Sequence, residues 1–135
     1  MKMAVLIARI VLGFVFLLFG LNGFLHFLPQ PAMPQEVISF VGALAATGYM
    51  FPLLFGTQIA GGALVLVGMV PLGLVILAPI IVNIVAFHVF LAHDGLPLAT
   101  FVCAVALFLA WRHRESYGPL FVPSAEPVFE RRTPV

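Results

Sequence analysis

Charged residues are scarce in this chain of 135 residues: they make up 8% of the sequence, whereas hydrophobic residues make up 63%. An ordinary soluble domain carries roughly a quarter charged residues, so the composition argues against a soluble globular domain. The net charge is only +1, which gives no basis for binding nucleic acid. The chain is therefore predicted to lie in a lipid bilayer, and its length favours one domain.

Cysteine is also scarce, because Cys103 is the single one in the sequence. A lone cysteine excludes an internal disulfide and a cysteine-based metal cluster. The sequence also lacks a glycine-rich phosphate loop, a Ser/His/Asp array and an EF-hand pattern. The basic start at Lys2 and the apolar run after it are similar to a signal peptide. That run is far longer than the ~7 to 15 apolar residues of a cleavable segment, so a retained membrane helix is predicted.

The longest uncharged stretch lies between Glu36 and Asp94. As a single helix it would be about 85 Å long, nearly three times the ~30 Å hydrocarbon core of a bilayer. It must therefore fold back on itself. Gly48 and Gly68, each followed within four residues by a proline, supply the breaks, since proline suits the first turn of a new helix.

These breaks define the predicted architecture, an all-α integral membrane four-helix bundle. The transmembrane domain covers residues 1–115, with spans at about 4–27, 51–69, 71–92 and 96–112. A short interfacial helix at about 34–47 separates the first and second spans. A proline-rich cytoplasmic tail at 116–135 follows the bundle.

Basic residues predict the orientation of the bundle. Lys2 and Arg9 flank the start of the first span, and Arg112 and Arg114 follow the last one, whereas the loop around Asp94 has no Lys or Arg. Basic residues favour the cytoplasmic side of a membrane. An even number of spans with both termini in the cytoplasm is therefore predicted.

Polar residues inside the predicted spans form a layer. Asn22, Gln58, Asn83 and Cys103 come from the four spans, at about 7 to 15 Å below the outer surface by 1.5 Å per residue. Buried polar groups in membrane helices face the bundle interior and mark sites or pathways. The structural alternative is hydrogen bonding between helices that only holds the bundle together.

Two histidines, His26 and His88, lie just above this layer. Asn22 and His26 are four residues apart and are predicted to share one face of the first helix. Asn83 and His88 are about 140° apart around the third span, so they can bracket a cavity. We therefore predict an outer-leaflet pocket with these candidate cofactor-binding residues: His26, His88, Asn22, Asn83 and Gln58.

Two cofactors fit such a pocket, and the residues do not separate them. Two neutral histidines facing each other across a helical bundle can ligate haem iron. Alternatively, a quinone suits a histidine and amides in an apolar cavity, where His26 or His88 donates a hydrogen bond to a quinone carbonyl and the amides orient the ring. A proton-coupled transporter is disfavoured because no acidic residue lies at membrane depth.

Several stretches resemble the DoxX-like family of small four-helix bacterial membrane proteins. They are ARIVLGFVFLLFGLNGFLHF, GALAATGYMFPLLFG, the second span with its paired glycines, and APIIVNIVAFHVFLA. The resemblance covers about residues 7–115 and implies a multi-pass protein of the bacterial inner membrane with a redox association, because the name-giving member is similar to a subunit of a thiosulfate:quinone oxidoreductase. By resemblance, the polar signature falls on Asn22, His26, Asn83 and His88. Other branches tend to carry a lysine where GLNGF stands here, which argues against a thiosulfate-linked activity.

The leading hypothesis is thus a redox-associated membrane protein that binds a quinone or a haem. The alternative is a non-catalytic accessory subunit of a larger membrane oxidoreductase complex, respiratory, photosynthetic or other, which docks through its glycine-rich faces and its tail. A third reading is a small transporter of an apolar solute. The expected partners are the lipid bilayer and other membrane-protein subunits. The residues do not decide whether the protein is an enzyme.

Overall fold

A computed structural model describes residues 1–123 of the chain, and all regular secondary structure in this range is helical. No β-strand occurs within this range. The all-α prediction is confirmed. Most of the predicted tail, residues 124–135, lies outside the described residues. The α-helices are α1 (Lys2–Leu25), α2 (Gln35–Ala46), α3 (Met50–Leu66), α4 (Val70–Phe90) and α5 (Leu96–Arg112), with 3₁₀ segments at His93–Gly95 and Arg114–Phe121.

Three segments are long and apolar enough to cross a membrane: Lys2–Leu25, Val70–Phe90 and His93–Arg112. The pair α2 and α3 meets the same criteria together, although the two helices are bent by 92° at the break between them. Alone, the 17 residues of α3 extend about 25 Å. The protein is therefore a multi-pass helical membrane protein with three candidate spans, or four if the bent pair is one span. The predicted interfacial helix corresponds to α2.

Glycines with positive φ end two of the helices at the predicted breaks. Gly48 has a φ of 75° between α2 and α3, and Gly68 has a φ of 98° between α3 and α4. This left-handed region is strained for residues with a Cβ and open to glycine. Pro71 then lies in the first turn of α4, where its missing N–H costs no helical hydrogen bond.

The four long helices form a closed ring in the order α1, α3, α4, α5. α1 packs most extensively along α3, then α3 along α4 and α4 along α5, and α5 closes the ring against α1. α2 lies outside the ring and contacts α3. Many large apolar side chains face outward, as expected for a surface in contact with lipid. The buried core includes Leu12, Phe16, Val65, Leu74, Leu77 and Leu109.

Glycines bring the backbones of α1 and α3 into direct contact. A Cβ on Gly62 would lie 2.9 Å from the carbonyl oxygen of Gly13 and 2.9 Å from the backbone nitrogen of Leu17. A Cβ on Gly20 would lie 3.0 Å from the carbonyl oxygen of Phe55. Small residues allow this approach, which supplies the van der Waals contact that holds membrane helices together.

This contact predicts opposite effects for two alanine substitutions in α3. Gly62→Ala should lower the free energy of unfolding by about 1–3 kcal/mol, because the new methyl group overlaps the backbone of α1. Gly56→Ala is the matched control, since no described atom lies within 4 Å of a Cβ there. It should leave stability unchanged or raise it by up to ~1 kcal/mol through helix propensity. Unfolding by sodium dodecyl sulfate in mixed micelles measures both, and equal effects would contradict the backbone contact between α1 and α3.

The 3₁₀ segment after α5 folds back onto the start of α4. The Tyr117 hydroxyl donates to the backbone carbonyl of Pro71 at 3.5 Å. Burial raises the pKa of Tyr117 above its usual value of 10.0, because the phenolate loses more hydration than the phenol. The neutral phenol is thus the form that suits the folded protein.

The raised pKa gives this contact a defined pH dependence. The stabilising effect of Tyr117 should be fully present below pH 10.0, the unfolded pKa, and lost as the pH rises through the higher folded pKa. In a Tyr49→Phe background, where Tyr117 is the single tyrosine, phenolate absorbance should report a midpoint above 10.0 for the folded protein. A folded midpoint at or below that of the unfolded chain would show that Tyr117 does not dock.

Candidate functional site

The end of the first helix differs from the prediction at His26, which lies just outside the helix. α1 stops at Leu25, and His26 is its C-cap with φ 52° and ψ 43°, in the left-handed region. The His26 N–H donates to the backbone oxygen of Asn22 at 2.8 Å, and the Leu28 N–H donates to Asn22 Oδ1 at 2.7 Å. The prediction that Asn22 and His26 share one helical face is wrong, because the chain turns off the helix at His26.

A cavity of about 880 Å³ occupies one end of the bundle. It lies where α1 and α4 end and where α3 and α5 begin, and α2 adds part of its wall. The five predicted residues, Asn22, His26, Gln58, Asn83 and His88, all line this cavity. The structure therefore brings them together, and the binding of a cofactor by them stays a prediction.

Phenylalanines dominate the walls of the cavity, a feature that the sequence analysis missed. The rings of Phe51 and Phe55 stack with centroids 5.4 Å apart, and Phe24 meets Phe55 edge to face at 5.9 Å. Phe40 and Phe87 form a second pair at 5.7 Å. Aromatic faces and edges of this kind suit a planar ring. The lining phenylalanines are Phe16, Phe19, Phe24, Phe40, Phe51, Phe55 and Phe87.

The cavity carries no formal charge from acidic or basic residues. Among residues 1–123, no Asp, Glu, Lys or Arg lines it. Its polar groups are amides and imidazoles, including Gln30 from the connection between α1 and α2. Within the same residues, no group of three or more His, Cys, Asp or Glu side chains is placed to hold a metal ion. A neutral ligand with a few oxygen atoms matches this chemistry.

Gln58 is the most enclosed of the polar lining residues, with 8% of its surface exposed. Its side-chain amide forms no hydrogen bond with other groups in residues 1–123, and its polar atoms are not sealed off from the cavity. An amide that is open to a cavity can be satisfied by a water or by a ligand. Gln58 is thus placed to pair with a water or a ligand, and it does not act as a hydrogen bond between helices.

His88 is held in one orientation by the turn after α4. Its Nδ1 lies 2.8 Å from the Ala92 carbonyl oxygen, which can only accept a hydrogen bond. In the neutral ring this assigns the proton to Nδ1 and leaves a lone pair on Nε2. A neutral His88 therefore accepts at Nε2. The expectation that it donates to a quinone carbonyl conflicts with this geometry.

The remaining predicted residues lie in more open positions. His26 and Asn83 are exposed residues that contribute to the cavity lining from the end of α1 and from α4. Gln30, which the sequence analysis missed, lies between Pro29 and Pro31. Its position between two prolines and close to His26 is the feature of the sequence from which it could have been predicted.

Cys103 lies apart from the main cavity, although its depth matched that of the polar layer. It lines a separate, apolar groove of about 340 Å³ with residues of α4 that include Ile81, Val85 and Phe90. Depth along a helix does not fix the direction in which a side chain points, because successive residues rotate by 100°. Cys103 is thus a packing residue near the core.

No protein-family model, no curated protein and no solved structure matches this chain. The class of the protein comes from its structure alone: it is a multi-pass helical membrane protein with a neutral, aromatic cavity.

The hydrogen bonds at Asn22 predict a structural role that Asn83 does not share. Asn22→Leu removes the acceptor for the Leu28 N–H and should lower the free energy of unfolding by about 1–3 kcal/mol. Asn83→Leu is the same chemical change at a second amide of the cavity, one that forms no side-chain hydrogen bond within residues 1–123. It should change stability by less than about 0.5 kcal/mol. Detergent unfolding curves compare the two, and a larger loss for Asn83→Leu would refute this division of roles.

Proposed function

We propose that this membrane protein binds a quinone-type head group, a neutral six-membered ring with oxygen substituents, in the cavity between its helices. The observation that carries the proposal is the lining itself, in which phenylalanine rings surround a few amides and imidazoles and no charged residue of 1–123 takes part. The volume of about 880 Å³ falls within the range of ~300–1,000 Å³ that is typical of small-molecule sites.

The lining residues divide into two roles. The phenylalanine pairs pack against the faces and edges of the ring, and the Gln58 amide, which has no partner among the described residues, donates to a ring oxygen. Phe19 and Phe24 belong both to the cavity wall and to the exposed apolar surface, with 40% and 47% of their surface exposed. They provide an apolar path along which the tail of a lipid-soluble quinone reaches the surrounding acyl chains.

Quinone fits this cavity better than haem, because haem carries negative charges that the cavity lining does not balance. The carboxylate groups of haem call for cationic partners, and no Lys or Arg of residues 1–123 lines the cavity. Lys2, Arg9, Arg112 and Arg114 belong to the opposite end of the bundle, where α1 begins and α5 ends. A quinone carries no charge and needs only hydrogen-bonding groups.

The same distribution of charge supports the predicted orientation. Basic residues collect on the cytoplasmic side of membrane proteins, so both termini belong in the cytoplasm and the cavity opens in the outer leaflet. The proposed setting is the bacterial inner membrane, and the proposed family is the DoxX-like one. Support for the family comes from the quoted motifs and from the helical ring described above.

Substitution of Gln58 tests the proposed site. Duroquinone should bind to the purified protein in detergent, and Gln58→Leu should weaken binding about 5- to 20-fold, because the amide that pairs with the ring oxygen is lost. Thr100→Val is the control, since Thr100 donates to Leu96 of its own helix and does not line the cavity. Isothermal titration calorimetry measures both, together with solvent extraction of bound quinone from the wild-type protein.

Three results would contradict the proposal. A wild-type protein that contains no quinone and binds no duroquinone would favour the accessory-subunit alternative, which co-purification in mild detergent would then identify. A haem absorption band that is lost in His88→Ala would favour haem. Equal weakening by Gln58→Leu and Thr100→Val would place the ligand outside the cavity.

A further inference from the structure

His88 gives the cavity a preference between the two redox forms of its ligand. We propose that the site recognises a hydroquinone more tightly than the corresponding quinone, because His88 Nε2 accepts a hydrogen bond from a ring hydroxyl. This inference rests on the proposed function and specifies which form of the head group the site is built to hold.

The hydrogen bond to Ala92 fixes the position of the proton on His88. The Ala92 carbonyl oxygen accepts two hydrogen bonds, one from His88 Nδ1 at 2.8 Å and one from the Gly95 N–H at 3.1 Å. A carbonyl oxygen has no proton to give, so Nδ1 must carry the hydrogen in this pair. A neutral imidazole has one N–H, and Nε2 is therefore an acceptor.

The imidazole ring of His88 is held against rotation by its neighbours. The imidazole packs directly on Gly95, where a Cβ would overlap the ring atoms. The ring of Phe87 also meets the imidazole edge to face, with centroids 5.1 Å apart. Rotation of the imidazole by 180° would replace Nδ1 with a carbon and lose the hydrogen bond to Ala92. Both contacts and the hydrogen bond hold Nε2 in one position.

The Nε2 atom of His88 is available to a ligand. It forms no hydrogen bond with other groups in residues 1–123, and it is not enclosed by protein atoms. His88 also lines the cavity. A ligand at this position therefore meets a fixed lone pair.

The two redox forms differ in what they offer to that lone pair. Quinone oxygens only accept hydrogen bonds, so a quinone would place one acceptor against another, whereas a hydroquinone donates its O–H to Nε2. The amides of Gln58 and Asn83 do not discriminate, because each has both donor and acceptor atoms and can rotate to suit either form. Of these three side chains, His88 is the one that presents a fixed acceptor, and the preference is assigned to it.

The experiment compares duroquinone, durohydroquinone and the dimethyl ether of durohydroquinone, which keeps the ring and oxygens but has no O–H. Binding to the purified full-length protein in detergent is measured by calorimetry under argon at about pH 8, where imidazole side chains are generally neutral. Durohydroquinone should bind about tenfold more tightly than either of the other two, which corresponds to one well-formed hydrogen bond.

Four variants test whether the preference comes from His88. His88→Phe keeps a ring but loses Nε2 and should reduce the preference to about onefold, and Gly95→Ala should weaken it by displacing the imidazole. His113→Phe is the matched control, because His113 Nδ1 makes the same kind of bond to the Leu109 carbonyl, at 2.9 Å and at the other end of the bundle. It should keep the full preference. Gln58→Leu should weaken both forms alike.

The outcomes separate this inference from the proposed function. Equal binding of both redox forms by the wild-type protein, or tighter binding of duroquinone, would overturn the inference and leave the site in place. Failure of every probe to bind would overturn the proposed function itself. Retention of the preference in a folded His88→Phe protein would also overturn the inference. If His88→Phe does not fold, the wild-type comparison and Gly95→Ala decide it.

Discussion

The contact between α1 and α3 is the interaction on which the rest of this bundle depends. Lipid chains are as apolar as the helix surfaces, so burial from water cannot drive these helices together, and close van der Waals packing must do so. Gly13 and Gly62 allow that packing by bringing backbone against backbone. Towards the end of α1, the ring of Phe55 occupies the space over Gly23. Glycine on one helix thus makes room first for a neighbouring backbone and then for an aromatic side chain of the cavity wall.

The polar residues at the cavity serve three different purposes. Asn22 closes the end of α1 through its backbone and side-chain oxygens. His88 has one nitrogen bound to the turn after α4 and one nitrogen free for a ligand. Gln58 has no hydrogen-bond partner in the part of the chain that the structure describes. The groups that fix the architecture are therefore distinct from those that are available for chemistry, and they lie side by side in one cavity.

Much of the architecture could be predicted from the sequence, whereas several side-chain roles could not. Hydropathy was enough to predict an all-α membrane protein, and Gly48 and Gly68, at two predicted breaks, lie between helices in the structure. A constant rise per residue predicted that five polar residues lie near one end of the bundle, and they line one cavity there. The direction in which each helix faces depends on its neighbours and could not be predicted from the sequence. For this reason Cys103 was predicted to join the polar layer, whereas it lines a separate groove. The left-handed turn at His26 and the bond from His88 to Ala92 depend on local backbone geometry that no spacing encodes.

The turn after α4 has a consequence for how this protein can vary. Ala92 acts on His88 through its main-chain oxygen, an atom that every amino acid possesses, so the histidine tautomer is insensitive to the identity of residue 92. Residue 95 is the opposite case, because the imidazole occupies the space that any side chain would need. The tautomer of His88 therefore depends on the absence of a side chain at residue 95. Substitutions at residue 92 leave it unchanged, because the main-chain oxygen remains.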